Sequence, residues 1–377
     1  MKRGRLILGG FAGAAFLVVL AAGAWVYSLG RPPLGQDLET SHVVLDREGK
    51  LLRAYATTEG RWRLAATPED VDPRFLKLLF AYEDKRFYEH DGVDVLALCR
   101  AAFQLVTQGR IVSGGSTLTM QVARLLEPRE HRSLDAKLRQ ITRALELEHA
   151  LSKPQILALY LTLAPYGGNL EGVRAASLSY FGKEPKKLSL AEAALLVALP
   201  QSPEQRRPDR FPEAARAARD RVLDRALAAG ALPRDEVARA KQAAVPHERK
   251  PLPVLAPHAA DQVVSAEPDN HVHRLTVDAA LQRTLQDLAR ERAHALGPKM
   301  SVAIMAVDNE TGEVRARVGS GDYFDERRAG QVDMTQALRS PGSTLKPFIY
   351  GMAFEDGLLH PETLIDDKPV RFGDYAP

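Results

Sequence analysis

Three patterns of apolar and polar positions succeed one another along this chain. Leu6 to Gly30 carries no charged residue, a run long enough to cross a bilayer as one helix. From Pro73 to about Ala229 the apolar residues recur at helical spacing almost throughout. Beyond a proline-rich tract, Pro251-Leu252-Pro253 through Pro257 with Pro268 after it, the pattern changes again. There His273 to Val277 predicts a strand and Ala279 to Ala295 an amphipathic helix. Ser301–Val307 and Glu313–Gly319 predict paired strands about a turn at Asn309-Glu310-Thr311-Gly312. A strand, a helix and a hairpin read as the start of an α/β domain. Shorter signals fill the gaps. Gly30–Ser41 is a polar connector, and His42–Leu52 a hairpin turning at Glu48-Gly49. Ser152-Lys153-Pro154-Gln155 and Ser189-Leu190-Ala191-Glu192 are capping boxes that start helices. Ala214–Ala240, with acids and bases interspersed, predicts one or two solvated helices.

One helical face holds an unexpected residue. Asp72-Pro73 is a helix start, with Asp as N-cap and Pro in the first turn. Leu76, Leu79, Glu83, Phe87 and His90 then follow on one side. Burial disfavours a charged carboxylate and raises its pKa, which suits general acid–base chemistry near neutral pH. The bland alternative is a Glu satisfied by Lys85, Arg86 or water at the helix end.

Charge and composition narrow the classes. Lys2, Arg3 and Arg5 precede the apolar run, and such a flank stays cytoplasmic, so the rest lies across the membrane. Ala22-Gly23-Ala24 fits a signal-peptide cleavage site. The run exceeds a usual signal core, however, and Trp25 and Tyr27 suit an interface, so an uncleaved anchor is expected over 6–29. Charged residues at 26% and hydrophobics at 45% are ordinary globular values. A net charge of +3 is too small to argue for nucleic acid. Cys99 is the sole cysteine, which excludes an internal disulfide, and Val95-Leu96-Ala97-Leu98-Cys99 reads as core. His271-Val272-His273 and His247-Glu248 lack metal-site spacing and read as surface residues; no metal site is expected.

Three further constellations could carry chemistry. Gly114-Gly115-Ser116-Thr117 before Leu118-Thr119-Met120-Gln121 predicts a capped helix start, a natural anion site, though such junctions are also common without any ligand. A helix over about Leu134–Leu151 has Leu134, Leu138, Ile141 and Leu145 on its apolar face. Lys137, Gln140 and Ala144 lie on another, flanked by Arg139 and Arg143, with Arg124 and Arg132 upstream. Such cations could hold a phosphate or could simply be a solvated surface. Finally, Ser343-Thr344-Leu345-Lys346 is a Ser-x-x-Lys nucleophile arrangement, short enough to arise by chance.

These pieces, in this order behind a membrane anchor, resemble the bifunctional (class A) penicillin-binding proteins. Glu83-Asp84-x-x-Phe87-x-x-His90-x-Gly92 and Gly115-Ser116-Thr117-Leu118-Thr119-x-Gln121 match the first two glycosyltransferase motifs of that family. Ser152-Lys153-x-x-Ile156-Leu157-x-x-Tyr160-Leu161 and Ala175-Ala176-x-x-Tyr180-Phe181-Gly182-Lys183 match later ones. Met120-Gln121, Gly167 to Gly172 and Arg207-Pro208-Asp209-Arg210 look most like the 1C subgroup. Ser340-Pro341-Gly342-Ser343-Thr344-Leu345-Lys346-Pro347-Phe348 extends the match into the transpeptidase.

The resemblance implies an α+β chain. After a cytoplasmic tail at 1–5 and the transmembrane anchor at 6–29, it expects a mainly α, lysozyme-like glycosyltransferase domain over 42–235. A linker over 236–270 then leads to part of an α/β, serine β-lactamase-like transpeptidase domain over 271–377. It implies a single-pass protein of the bacterial cytoplasmic membrane, catalytic on the extracytoplasmic side. Its substrates would be lipid II and the nascent glycan strand, with other wall-synthesis proteins as candidate partners. Glu83 would be the general base. Asp84, His90, Gly115, Ser116, Thr117, Gln121, Arg124, Arg132, Lys137, Arg139 and Gln140 would bind substrate, with a divalent cation, Mg or Mn, as a candidate aid to the pyrophosphate. Ser343 and Lys346 would be the acyl-transfer pair. The Ser-x-Asn and Lys-Thr-Gly elements that complete that pair's site do not occur in these residues, so no crosslinking or stable penicillin binding is expected of this chain.

Three positions depart from the family pattern. Gln140 stands where most relatives have Glu, which removes any acid or metal-ligand role there and leaves a positioning one. Arg124 replaces a common Lys, and Thr162 a usual Asn. Gln140 keeps open a non-catalytic lipid II scaffold as the alternative. A wall-cleaving hydrolase fits less well, since hydrolysis of glycan needs no phosphate cradle.

Overall fold

The computed structural model describes residues 17–108, 115–128 and 133–374, apart from 18, 19, 22, 339, 367 and 370. In chain order, β1 (Val43–Leu45) and β2 (Leu51–Ala54) form the expected hairpin and β3 (Trp62–Arg63) follows. Then come α1 (Pro73–Glu83), α2 (Val95–Gln108), α3 (Leu118–Leu126), α4 (Leu134–Ala150) and α5 (Lys153–Leu163). β4 (Leu170–Glu171) precedes α6 (Val173–Phe181), α7 (Leu190–Ala198), α8 (Pro212–Ala228) and α9 (Arg234–Gln242). The last part holds α10 (Pro257–Ala266), β5 (Val272–Arg274), α11 (Ala279–Leu296), β6 (Ile304–Val307), β7 (Val314–Val318) and α12 (Lys346–Glu355).

Helix α7 centres the helical core. Ala191 and every residue from Ala193 to Ala198 are buried, as expected of a helix that is apolar all round. α1, α6, α8 and α9 pack about it. Both capping boxes form, at Ser152/Gln155 and Ser189/Glu192. Asp72 caps α1 by accepting from the Arg74 amide at 2.9 Å, and its other oxygen accepts from the Leu188 amide at 3.1 Å. The helix start is thereby tied to the segment leading into α7.

The hairpin is not free-standing. β1 pairs antiparallel with β2 and parallel with β5, Val43 opposite Val272 and Leu45 opposite Arg274. The Pro251–Pro257 tract runs beside β2, the Leu255 amide donating to the Leu52 carbonyl at 2.8 Å. β6 and β7 form the expected antiparallel pair. α11 packs on β7, and the buried Gln282 amide exchanges two hydrogen bonds with the Arg317 backbone at 2.9 and 2.8 Å.

Several expectations need correction. α1 ends at Glu83 and does not continue through Phe87 and His90, because the Asp84 carboxylate turns inward to accept from the Leu118 amide at 3.0 Å. α4 is inverted. Leu134, Leu138 and Leu145 are exposed, whereas Arg143, Ala144 and Leu147 are buried. The polar face points inward because Lys137, Gln140 and Arg143 all find partners there. Cys99 is exposed, since α2 turns Ala97 inward and leaves Val95 and Leu96 outside. His273 is buried, because strand alternation puts Val272 outside and the imidazole inside. The proline-rich tract holds a helix, α10, that starts on Pro257 and buries His258, Ala259 and Ala260. Most of the expected anchor lies outside the described residues. Residues 23–28 are helical, and no helix among the described residues is long and apolar enough to cross a membrane.

Gly92 fixes the loop after α1. Its φ is +84°, and a Cβ there would lie 2.7 Å from the Ala144 carbonyl oxygen of α4. Gly92→Ala should therefore cost about 2 kcal/mol or more of stability, through left-handed strain and a backbone clash. Urea unfolding of the variant measures this.

Candidate active site

Glu83 is the last residue of α1, half-buried, one turn beyond the buried Leu79. Each carboxylate oxygen accepts one neutral donor: Gln121 Nε2 at 2.9 Å on one and Gln201 Nε2 at 2.7 Å on the other. Burial pushes its pKa above the ordinary glutamate value. The two amides, Arg225 and Arg206 pull the other way without reversing it. Lys85 and Arg86 are not its partners; Arg86 pairs with Asp94.

The first two motifs meet through Asp84. Its buried carboxylate contacts His90 Nε2 at 3.1 Å and takes the Leu118 amide at the start of α3. Thr117 caps α3, accepting from the Met120 amide at 3.1 Å, and donates to the Gly92 carbonyl at 2.6 Å. Asp84, His90 and Thr117 thus hold the α3 start against the end of α1, placing Gln121 beside Glu83. A hydrogen bond from Lys153 Nζ to the His90 carbonyl, 2.5 Å long, ties the α5 start to the same loop.

The cations stand opposite. Lys137 Nζ donates to Ser116 Oγ at 2.8 Å and to Gln140 Oε1 at 3.3 Å. Gln140 Nε2 donates to the Met120 carbonyl at 2.5 Å. Burial and the nearby Arg124 lower the Lys137 pKa, and an anion placed beside it would offset both effects. Arg139 Nε is buried without a partner among the described residues. Arg132 lies outside the described residues.

Two clefts join at Glu83. The larger, about 920 Å³, is walled by Gln121, Arg124, Lys137, Arg139 and Gln140. The smaller, about 410 Å³, is lined by Asp84, Lys85, Arg86, Gly115 and Thr117 among others. Glu83, Ser116, Tyr82 and Arg225 border both. Of the expected binding residues, His90 borders neither; Thr162, one of the departures from the family pattern, sits in the core, accepting from the Ala66 amide at 3.2 Å. Cations border both clefts, Arg124, Lys137 and Arg139 in the larger and Lys85, Arg86 and Arg100 in the smaller, and a carboxylate at their junction can take a proton from a group in one while an anion leaves in the other.

Ser343 and Lys346 lie apart, one short turn from each other, the Lys346 amide donating to the Ser343 carbonyl. Both side chains are exposed, without a hydrogen-bonding partner among the described residues. Gln201, Tyr82, Arg206 and Arg225 are site residues that periodicity does not reveal. The only sequence signal near Gln201 is the helix-ending Pro200.

Comparisons with known proteins identify the domains the chain resembles. A transglycosylase family model matches residues 48–227, and a penicillin-binding protein transpeptidase domain model matches residues 302–376. Penicillin-binding protein 1C of Escherichia coli strain K12 is 45% identical over 376 residues, covering 100% of this chain and 48% of that protein. Penicillin-binding protein 1F of Bacillus subtilis strain 168 is 29% identical over 358 residues, covering 90% and 49%. The crystal structure of penicillin-binding protein 1A from Haemophilus influenzae overlaps 90% of this chain and 57% of that one, at 16% identity and a TM-score of 0.33, too loose a fit to carry fold or function. The chain spans about half the length of the curated relatives it matches. The chain therefore carries a transglycosylase domain match followed by part of a penicillin-binding protein transpeptidase domain, and over its whole length it is similar to penicillin-binding protein 1C.

Proposed function

We propose that this protein is a membrane-anchored peptidoglycan glycosyltransferase that polymerises lipid II into β-1,4 glycan and releases undecaprenyl pyrophosphate. The observation that carries the reading is the Glu83 carboxylate at the meeting of two clefts, the larger holding Arg124, Lys137 and Arg139 together with Ser116. Glu83 takes the proton from the 4-hydroxyl of the acceptor N-acetylglucosamine. The freed oxygen attacks the anomeric carbon of the donor N-acetylmuramic acid, the bond to the pyrophosphate breaks, and the centre inverts. Ser116, Arg124, Lys137 and Arg139 receive the negative charge that departs.

The anchor and the extracytoplasmic setting are part of the same proposal. They are supported by the uncharged run at 6–29 and by apolar side chains turned outward on α2 and α4: Val95, Leu96, Phe103, Leu134 and Leu138. A lipid-borne substrate has to be met at a lipid surface, and side chains of this kind are at home there. The helical unit is proposed to be lysozyme-like, and Ser343 and Lys346 to be the acyl-transfer pair of the partial second domain.

The cleft wall does not fit a protein-held divalent cation. Among the described residues no group of three acidic, histidine or cysteine side chains gathers there, and Gln140 offers an amide. A Mg or Mn ion would have to arrive on the pyrophosphate itself. Gln140 also favours a second reading, a lipid II-binding scaffold without catalysis.

Incubating the purified chain with lipid II decides between the two. Glan strands and free undecaprenyl pyrophosphate, both suppressed by the transglycosylase inhibitor moenomycin, support the enzyme, whereas binding with no product supports the scaffold. Within the enzyme, Lys137→Met removes a charge-assisted donor and should raise KM for lipid II about 10–100-fold, read from initial rates across lipid II concentrations.

A further inference from the structure

Gln201 ends a short turn, Leu199–Gln201, directly after α7. The buried α7 and the fully buried Leu199 make this a rigid base. Gln201 itself is exposed. Its Nε2 donates to Glu83 at 2.7 Å, while its Oε1 accepts from Arg206 at 3.2 Å and from the Tyr82 hydroxyl at 3.3 Å. Arg206 is itself fixed, donating to the Ala198 carbonyl at 2.7 Å. The Arg225 guanidinium lies over the Tyr82 ring, 4.6 Å from its centre.

These contacts give the amide a direction. A guanidinium can only donate, so the oxygen of Gln201 must face Arg206 and its NH2 must face Glu83. Gln121 holds the other carboxylate oxygen. With one donor on each oxygen the carboxylate cannot rotate freely, and each oxygen keeps a lone pair for a sugar hydroxyl.

We propose that Gln201 is a positioning residue that aims the Glu83 carboxylate at the acceptor hydroxyl, with Arg206 and Tyr82 locking the direction of its amide. The inference rests on Glu83 being the base. A donor to the carboxylate also favours its ionised form, against the burial that raises its pKa. Loss of Gln201 should then act on chemistry more than on folding, since the side chain is exposed and contributes little to the core.

The test is lipid II polymerisation by the full chain across pH, with wild type, Gln201→Ala, Gln201→Glu and Glu83→Gln side by side. Gln201→Ala should lower kcat about 10–100-fold with KM changed less than about threefold, and its acid limb should move to higher pH. Gln201→Glu keeps the shape but faces Glu83 with a second carboxylate, so its acid limb should move further in the same direction. Arg206→Met should lower kcat in the wild type and have less effect in Gln201→Ala, because the two act through one contact. A Gln201→Ala enzyme with wild-type kcat overturns the assignment, as does one whose lower rate keeps the wild-type acid limb. If Glu83→Gln is inactive while both Gln201 variants behave as wild type, only this inference fails. If Glu83→Gln polymerises normally, the base itself is misassigned and both fail.

Discussion

Glu83→Gln is expected to slow lipid II polymerisation roughly 10²–10⁴-fold, the range spanned by loss of a positioned general base. The substitution preserves shape, and the cations of the larger cleft are untouched. Lipid II affinity should therefore stay within a few-fold of wild type, as measured by binding to labelled lipid II in detergent. The loss should appear in kcat, because the missing interaction is made during reaction and not during binding. The wild-type pH profile offers a second check. The proposed base acts as a carboxylate, so the rate should fall as pH drops through its folded-state pKa. Burial raises that pKa, and the acid limb should lie above the value of a free glutamate. A variant that polymerises at the wild-type rate would remove the base from the mechanism.

Arg143→Met is expected to have the largest effect on stability. This guanidinium, 1% exposed, lies inside α4 and serves four partners. It donates to Glu127 at 3.2 and 2.9 Å, to Glu146 at 2.8 Å, and to the carbonyls of Leu29 and Gly30 at 2.6 and 3.1 Å. Methionine fills the space but leaves Glu127 and two carbonyls without their donor. Removing one side of a buried ion pair costs about 3–5 kcal/mol, which urea unfolding should register. The lost contacts to Leu29 and Gly30 also predict faster proteolysis near Arg31. Arg143→Lys keeps the charge but not the fork and should fall between. Unchanged unfolding and unchanged proteolysis in Arg143→Met would show that the contacts carry no net stability.

Much of the helical unit was legible because its signals are local. Capping boxes, a Pro at a helix start and a glutamate one turn beyond Leu79 all act over a few residues, and each forms as expected. The site was legible only in part. Gln121 and Lys137 sit in motifs that place them, but Gln201 meets Glu83 across 118 positions, and no periodicity encodes such a pairing. The faces of α2 and α4 were misread for a different reason. Hydrophobic patterning assumes water on the outer side and a greasy interior. In α4 the inward face is the polar one, because the cleft and the Arg143 cluster need charged groups inside. The same assumption hid Cys99. His273 was misread because two histidines flanking one valine share a face of the strand, and only the pairing with β1 fixes that this face, and not that of Val272, turns inward.

The parallel pairing of β1 with β5 joins residues 43–45 to residues 272–274. A growing polypeptide threaded outward from its amino end therefore delivers the first of these partners long before the second. Until the later strand emerges, one flank of β1 keeps unsatisfied amides and carbonyls, a seam open to wrong partners. Closure over so great a separation is entropically slow. Maturation of this small sheet should accordingly lag behind the helices that synthesis completes in the interval.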